Sequence, residues 1–261
     1  LIQTTAGLEY MISTKIKSLI EIDKKTVGLM NLDTESELKT DNLRAQLNQH
    51  YNFRTIDPSA NIPESIDVLL VSATKDTVDT NTVSNLRNFL NTGKKVFIAQ
   101  SGVNADIKTQ QAGPLSSNIF ELLNEFSLDL QKNMVLDAKC GNVQVQEQRG
   151  IFLMNRPVEY PLFPTIDTFN GSDPLSGVVV NELEQVLLLF PSEIKIDTSV
   201  NEKVEKVSTL FTSSNNSGIM ESNLVLSPDP QQNPFLRMLG QPGKILAATS
   251  RLNTGGELML V

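Results

Sequence analysis

The sequence predicts an α/β protein. Its expected core is an open, mostly parallel sheet of the flavodoxin/Rossmann kind, glutamine-amidotransferase-like in outline, with added strands or a small α+β lobe from the C-terminal half. Three observations predict it. Apolar, strand-forming runs recur at residues 26–30, 53–57, 66–71 and 95–99. Helical patterns fill residues 37–48 and 79–91 between them, as the crossovers of parallel strands require. The run 66–71 is apolar almost throughout, which fits a strand buried on both faces. Right-handed crossovers between elements of these lengths give the flavodoxin-like strand order 2-1-3-4.

Before the first strand, residues 9–20 read as a helix with Ile12, Ile16, Leu19 and Ile20 on one face and Lys15 and Lys17 on the other. Lys24 and Lys25 lead into strand one. The helix over 37–48 turns Leu43 and Leu47 inward, with Asp33 or Thr34 as caps. Pro58 and Pro63 mark a turn before strand three. The helix over 79–91 buries Val83, Leu86 and Leu90 and stops at Thr92-Gly93. In strands three and four, Val68, Leu70, Val96 and Ile98 are expected on one face, with Leu69, Val71 and Phe97 on the other. A polar loop spans 103–114. Ser116, Ser117 and Asn118 then cap a helix carrying Ile119, Leu122, Leu123 and Phe126 at helical spacing.

Beyond about residue 130 short strand signals take over, at 134–137, 143–146, 150–154, 184–190, 193–197, 206–212, 243–249 and 257–261. Pro157, Pro161 and Pro164 are expected to break the stretch after 154, and 173–180 to form a short helix. Residues 215–218 form a turn, and 227–234 a Pro/Gln/Asn loop. The expected organisation is a lead-in over 1–22, the α/β sheet domain over 23–140 and a strand-rich extension or second lobe over 141–261.

Composition removes several function classes. The 261 residues carry a net charge of -8 and a pI near 4.8, which repels phosphate backbones, so nucleic acid is not expected as a partner. The chain has no Trp and 3 Tyr, few rings for stacking a sugar. Its single cysteine, Cys140, closes no internal disulfide and builds no Cys-rich zinc site. Its single histidine, His50, ends a helical pattern, the ordinary place for a surface or cap histidine. No run is long enough to span a bilayer. The chain starts at Leu1 without an initiator Met or signal-type core and stops inside an apolar strand, which is expected of a segment of a longer protein.

The carboxyl ends of the strands are where open α/β sheets place ligands. Here they read Asn31-Leu32-Asp33, Ser72-Ala73-Thr74 and Gln100-Ser101-Gly102. An amidotransferase would carry a Cys nucleophile after strand four and a His base. This chain has Ser101 there, outside a G-x-S-x-G elbow and with no acid–histidine pair in view. A receiver-type phosphorylation site would end strand three in Asp, where Ser72 stands. Asp33 and Glu35 could take a cation, though two carboxylates ahead of a helix more often serve its dipole. No Walker A loop and no G-x-G-x-x-G occur, so neither a nucleotide nor any other cofactor is expected. Asn31, Asp33, Glu35, Ser72, Thr74, Ser101, Asn104, Asp106 and Lys108 remain as a candidate interaction surface.

The residues also carry a resemblance. Residues 8–19 followed by Lys24-Lys25-Thr26-Val27-Gly28-Leu29 resemble the opening of the auxiliary component of ABC-type transport systems linked to gliding motility (GldG-like proteins). Residues 51–57 and 62–71 are similar to its second and third strands. Residues 88–98 resemble its "flxxGGkvlv" run, and 118–126 with 133–137 resemble its "LL..yGi.....lvlD" segment. The resemblance is good over residues 7–137 and looser beyond. It implies a non-catalytic extracytoplasmic domain on a membrane-anchored subunit of an ABC-2-type exporter, acting in protein–protein interaction. Its partners would be the permease, the ATPase or a sister subunit. It also implies kinship with the α/β domain of an intraflagellar-transport protein. Two departures carry weight: Asn31-Leu32-Asp33-Thr34-Glu35 replaces a Gly-His-Gly-Glu-like turn, and Gln100-Ser101 replaces Asp-Pro. No functional residue is therefore carried over. A small-ligand or glycan-binding periplasmic module is the second reading, and a degenerate amidotransferase-like hydrolase the third.

Overall fold

The computed structural model describes residues 12, 16, 24–33, 38–149, 152–169, 177, 179–180, 183–197, 199, 201–229 and 233–261, with the backbone alone at 148, 149 and 152. A seven-stranded mixed sheet forms the centre. Its parallel part consists of β1 (Thr26–Met30), β2 (Asn52–Ile56), β3 (Val68–Val71) and β4 (Lys95–Ile98), in the spatial order β2-β1-β3-β4. Four small sheets of two or three antiparallel strands surround it.

The helices follow local sequence signals unevenly. Between β1 and β2 lies α1 (Asp41–Leu47), and between β3 and β4 lies α2 (Thr80–Asn91). Asp79 caps α2 by accepting the Asn81 N–H, and Gly93 ends it with a φ of 83° that a side chain would resist. Val83, Leu86 and Leu90 are buried as predicted. The shorter α1 starts after Thr40, so Asp33 does not cap it, and Leu43 points outward at 41% exposure. The pattern over 37–48 misleads because β2 is an edge strand of which only Ile56 is buried, leaving α1 little apolar surface to cover.

One face of the parallel sheet is dry. Leu69, Val71, Val96 and Ile98 are at most 2% exposed and pack with Met30, Ile56 and α2. Val68, Leu70 and Phe97 on the opposite face are half-buried. The expected grouping of Val68 and Leu70 with Val96 and Ile98 is therefore wrong. The parallel register pairs Leu69 with Val96 and Leu70 with Phe97. Alternation along one strand fixes its own faces but not which residues of the neighbour join them. Gly28 is required on the dry face, where a Cβ would stand 2.9 Å from Ile56 and 3.0 Å from Leu69.

The segment expected as a polar loop is a hairpin of β5 (Val103–Asp106) and β6 (Gln111–Pro114). It is followed by α3 (Ile119–Glu125), whose Ile119, Leu122 and Leu123 join the core of the dry face. Then come β7 (Leu128–Leu130), β8 (Met134–Asp137), β9 (Cys140–Arg149) and β10 (Phe152–Ile166). The prolines do not break β10. It pairs with β9 across a register shift between Glu159 and Pro164, and proline is tolerated where its missing N–H faces away from the neighbouring strand.

After β11 (Val186–Leu187) and β12 (Ile194–Ile196) the chain returns to the central sheet as β13 (Val204–Thr212). Next are β14 (Ser217–Met220), the one-turn α4 (Phe235–Met238), β15 (Ile245–Leu252) and β16 (Glu257–Leu260). β16 runs parallel to β4, while β15 and β13 continue antiparallel to the far edge. Two further cores lie beside the first. One gathers Met134, Leu136, Tyr160, Leu162 and Phe235, and the other Val135, Ile166, Leu210 and Phe211. β8 thus feeds both through alternate residues. Of the predicted helix over 9–20 only Ile12 and Ile16 are among the described residues, both helical and about half exposed (51% and 52%). Thr34, Glu35 and most of 173–178 lie outside them.

Candidate functional site

The loops after β1, β3 and β4 meet at the carboxyl end of the sheet. Their side chains are spent on each other. Asn31 folds back on its own loop: its Oδ1 accepts the Asp33 N–H at 3.2 Å and its Nδ2 donates to the Asp33 carbonyl at 2.8 Å. The Ser72 hydroxyl donates to Asn31 Oδ1 at 2.8 Å and accepts the Leu32 N–H at 3.0 Å. Lys75 reaches back to Asp33 at 2.9 Å, so the first and third loops are tied by a hydrogen-bonded pair and an ion pair.

Gln100 clamps the third loop to the fourth. Its Oε1 accepts the Thr74 N–H at 2.8 Å, and its Nε2 donates to the carbonyls of Thr74 (3.2 Å) and Ser101 (2.7 Å). Both Gln100 and Thr74 are 5% exposed. Buried polar groups need partners, and here one carboxamide supplies three.

Ser101 occupies the place of a nucleophile and is held as a structural hydroxyl. It donates to the Phe190 carbonyl at 2.9 Å, accepts the Val103 N–H at 3.1 Å and lies 3.2 Å from Ser192 Oγ. Ser192 in turn accepts the Gly102 N–H at 2.8 Å and donates to the Asn133 carbonyl at 2.5 Å. Gly102 is pressed so closely on the Gln131 carbonyl that a Cβ would sit 1.9 Å from its oxygen. His50 precedes β2 and so lies at the amino end of the sheet, while Ser101 follows β4 at the carboxyl end. A strand length separates them, and no Ser–His pair forms.

Beside this network the β5–β6 hairpin overhangs a cleft of about 430 Å³ lined by Lys75, Asp76, Asn104, Asp106, Gln111 and Ser116, among others. At the hairpin turn Asp106 Oδ1 accepts the Lys108 N–H at 2.8 Å. That bond, aided by Thr109, holds the exposed Asp106 carboxyl below the usual carboxylate range. Ile107, beside it, is 39% exposed. The largest cavity, about 600 Å³, lies at the opposite end of the sheet, between α2 and the loop before β3, with Ile62 and Phe89 among its lining residues.

The predicted site residues therefore separate. Asn31, Asp33, Ser72, Thr74 and Ser101 form a stitched floor. Asn104 and Asp106 line the cleft, Lys108 stands at the hairpin turn, and Glu35 is outside the described residues. Gln100, Lys75, Asp76 and Ser192 complete the arrangement. Sequence patterns gave no pointer to Ser192, since it lies 91 positions from Ser101. Among the described residues no group of three or more His, Cys, Asp or Glu is placed to hold a metal ion.

Elsewhere Asp137 is fully buried and accepts from Lys139 N (2.8 Å), Ser214 N (2.5 Å) and Ser214 Oγ (2.6 Å), joining the β8–β9 turn to the turn before β14. It is satisfied by these bonds and opens onto no catalytic partner among the described residues.

Residues 24–251 match the family described as an ABC-type uncharacterized transport system. No curated protein matches the chain. Among solved structures it is similar to the "mmIFT52 N-terminal domain", with 10% identity and a TM-score of 0.54 over 89% of this chain and 84% of that one. It also aligns with a ThuA-like protein from Parabacteroides merdae, with 9% identity and a TM-score of 0.43 over 92% of this chain and 79% of that one. At 10% identity the first likeness is one of fold. The family match spans most of the sequence, and the chain belongs to the family of auxiliary components of ABC-type transport systems.

Proposed function

We propose that this chain is a non-catalytic, extracytoplasmic docking domain of a membrane-anchored auxiliary subunit in an ABC-2-type exporter, of the gliding-motility-associated kind. The observation that carries the reading is the use of the strand-end side chains. Asn31, Ser72, Gln100 and Ser101 stand where a sheet of this order, flavodoxin-like and akin to the amidotransferases, would hold its reactive groups. Each is engaged by a neighbouring loop. A hydroxyl that already donates to a carbonyl and accepts an N–H is not poised to attack. The stitched floor supports the exposed β5–β6 hairpin, and a firm base under a polar loop suits recognition.

The partner on this reading is the permease, the ATPase or a sister subunit of the same transport system, met through the hairpin. The test is co-purification of the full-length parent with those proteins. Replacing Asn104, Asp106 and Lys108 together with Ala should lower the melting temperature little, since exposed substitutions stay within about 0.5 kcal/mol each. The same change should abolish co-purification. A complex that survives it, and also survives substitution of Asp33 and Lys75, would overturn the assignment of the docking face. The cleft under the hairpin supports a second reading, a small polar ligand or glycan held between Lys75, Asp76 and Asn104. Calorimetric titration of the wild-type domain with a panel of glycans separates the two.

A further inference from the structure

The second lobe carries a strand edge that nothing guards. β9 pairs only with β10, through Val143↔Val158, Gln144↔Pro157 and Val145↔Arg156. The two outer edges of this ribbon are treated differently. β10 contains Pro157, Pro161 and Pro164, and its base is covered by bonds from Leu188 N to the Pro164 carbonyl and from Phe190 N to the Leu162 carbonyl, both 3.0 Å. Proline withholds the N–H that an incoming strand needs, and an edge carrying it is protected. β9 contains no proline, and residues 142–146 (Asn-Val-Gln-Val-Gln) are uncharged.

The register of that edge follows from Pro157. A residue without an N–H belongs to a non-hydrogen-bonded pair, so the backbone groups of its partner Gln144 point away from β10. Asn142 and Gln146, two residues to either side, point the same way. Side chains alternate as well. Val143 and Val145 share a face with Met154 and Val158, while Asn142, Gln144 and Gln146 lie on the other face and are exposed.

Such a strand is complementary to itself. Antiparallel pairing about a two-fold axis at Gln144 sets Val143 opposite Val145 of the second copy, Gln144 opposite Gln144, and Asn142 opposite Gln146. Apolar meets apolar, amide meets amide, and over these residues no like charges face each other. The other free edges lack this property. In β2 the central residue is Arg54, which two-fold pairing would set against Arg54 of the second copy. β13 is interrupted by three register shifts and carries Glu205 and Lys206. We propose that the chain forms a symmetric dimer in which two β9 edges join into one four-stranded sheet, β10-β9-β9-β10. A two-stranded ribbon is marginally stable in water, and the partner supplies the strands it lacks. Leu153 and Met154, 68% and 54% exposed near the ribbon tip, flank the joined sheet.

The test is sedimentation equilibrium of the whole chain, with thiol cross-linking. The wild type should sediment as a dimer at tens of micromolar. Gln144→Pro withdraws the outward N–H and leaves the β9–β10 ladder in place. Gln144→Lys sets two ammonium groups against each other on the axis. Both should weaken dimerisation at least about tenfold, with circular dichroism unchanged. In a Cys140→Ser background, Gln144→Cys should oxidise to a linked dimer, since the two Cα atoms would be about 5.5 Å apart. Gln146→Cys should not link, its two copies lying about 14 Å apart along the strands. A monomer at 200 micromolar would overturn the proposal. So would a dimer indifferent to both Gln144 substitutions, or one that links through residue 146 as fast as through 144.

Discussion

If the Gln100 clamp holds the carboxyl end of the sheet together, breaking it should be costly and local. Gln100→Leu keeps the volume and removes all three hydrogen bonds. The Thr74 N–H and carbonyl would then be left without partners in a site where Thr74 is 5% exposed. Each orphaned buried group costs about 1–3 kcal/mol, and the apolar gain of leucine returns about 1 kcal/mol, for a net loss of about 2–4 kcal/mol. At about 2–4 °C per kcal/mol for a chain of this size, the melting temperature should fall by about 5–15 °C.

Gln100→Glu adds a sign. A carboxylate can still accept the Thr74 N–H but faces two carbonyl oxygens, so the folded state raises its pKa above the unfolded value of about 4.3. The added penalty is absent below that unfolded value, grows as pH rises, and is complete above the folded pKa. Urea unfolding at pH 4 and pH 7 reads the difference, and amide exchange reads the place: protection should fall first at Thr74 and Ser101. Loss of less than about 0.5 kcal/mol in the Leu variant, with Thr74 exchange unchanged, would refute the clamp.

Two further outcomes test the rest of the fold. Leu69→Ala should cost about 3–5 kcal/mol and Leu70→Ala less than about 2 kcal/mol by chemical denaturation, because Leu69 is fully buried and Leu70 is not; the reverse order would show the sheet faces inverted. Glu125 is opposed by its own desolvation but accepts from Lys203 at 2.5 Å and Arg87 at 2.6 Å, and the balance holds its carboxyl below the usual range. The stability it confers is present above the unfolded value and is lost as pH falls through the folded one. Glu125→Gln should therefore be less stable than wild type at pH 7 and should close the gap in acid; a gap constant from pH 7 to pH 2 would contradict the pairing.

Legibility tracked the range of the interactions involved. β1 to β4 and α2 were readable because their signals are local: apolar runs, the Asp79 cap and the Gly93 stop. The strand order β2-β1-β3-β4 followed from crossover handedness. The faces of β3 and β4 were assigned the wrong way round because the register across a parallel pair is set by the whole sheet. The hairpin over 103–114 hid as a loop, since most of its short strands is solvent-exposed and polar residues carry no alternation there. β10 hid because a proline was taken as a break, when its missing N–H faces outward. At the candidate site the strand-end residues were visible in sequence, but their use was not. Ser101 reads as a free serine until Phe190 and Ser192 are brought to it from the far half of the chain.

The position of β16 has a consequence for the order of events during synthesis. This strand, the last in the chain, sits inside the sheet, with Glu257 paired to Lys95 and Leu260 to Ile98. Until residue 260 has been made, β4 is an open edge whose backbone groups have only water. At about 5–20 residues per second that edge waits roughly 10 to 30 seconds after β4 itself has emerged. Pairings this distant in sequence are also slow to find each other. The nascent N-terminal half is thus the species most exposed to aberrant strand pairing, and a chaperone that shields β4 would act in that interval.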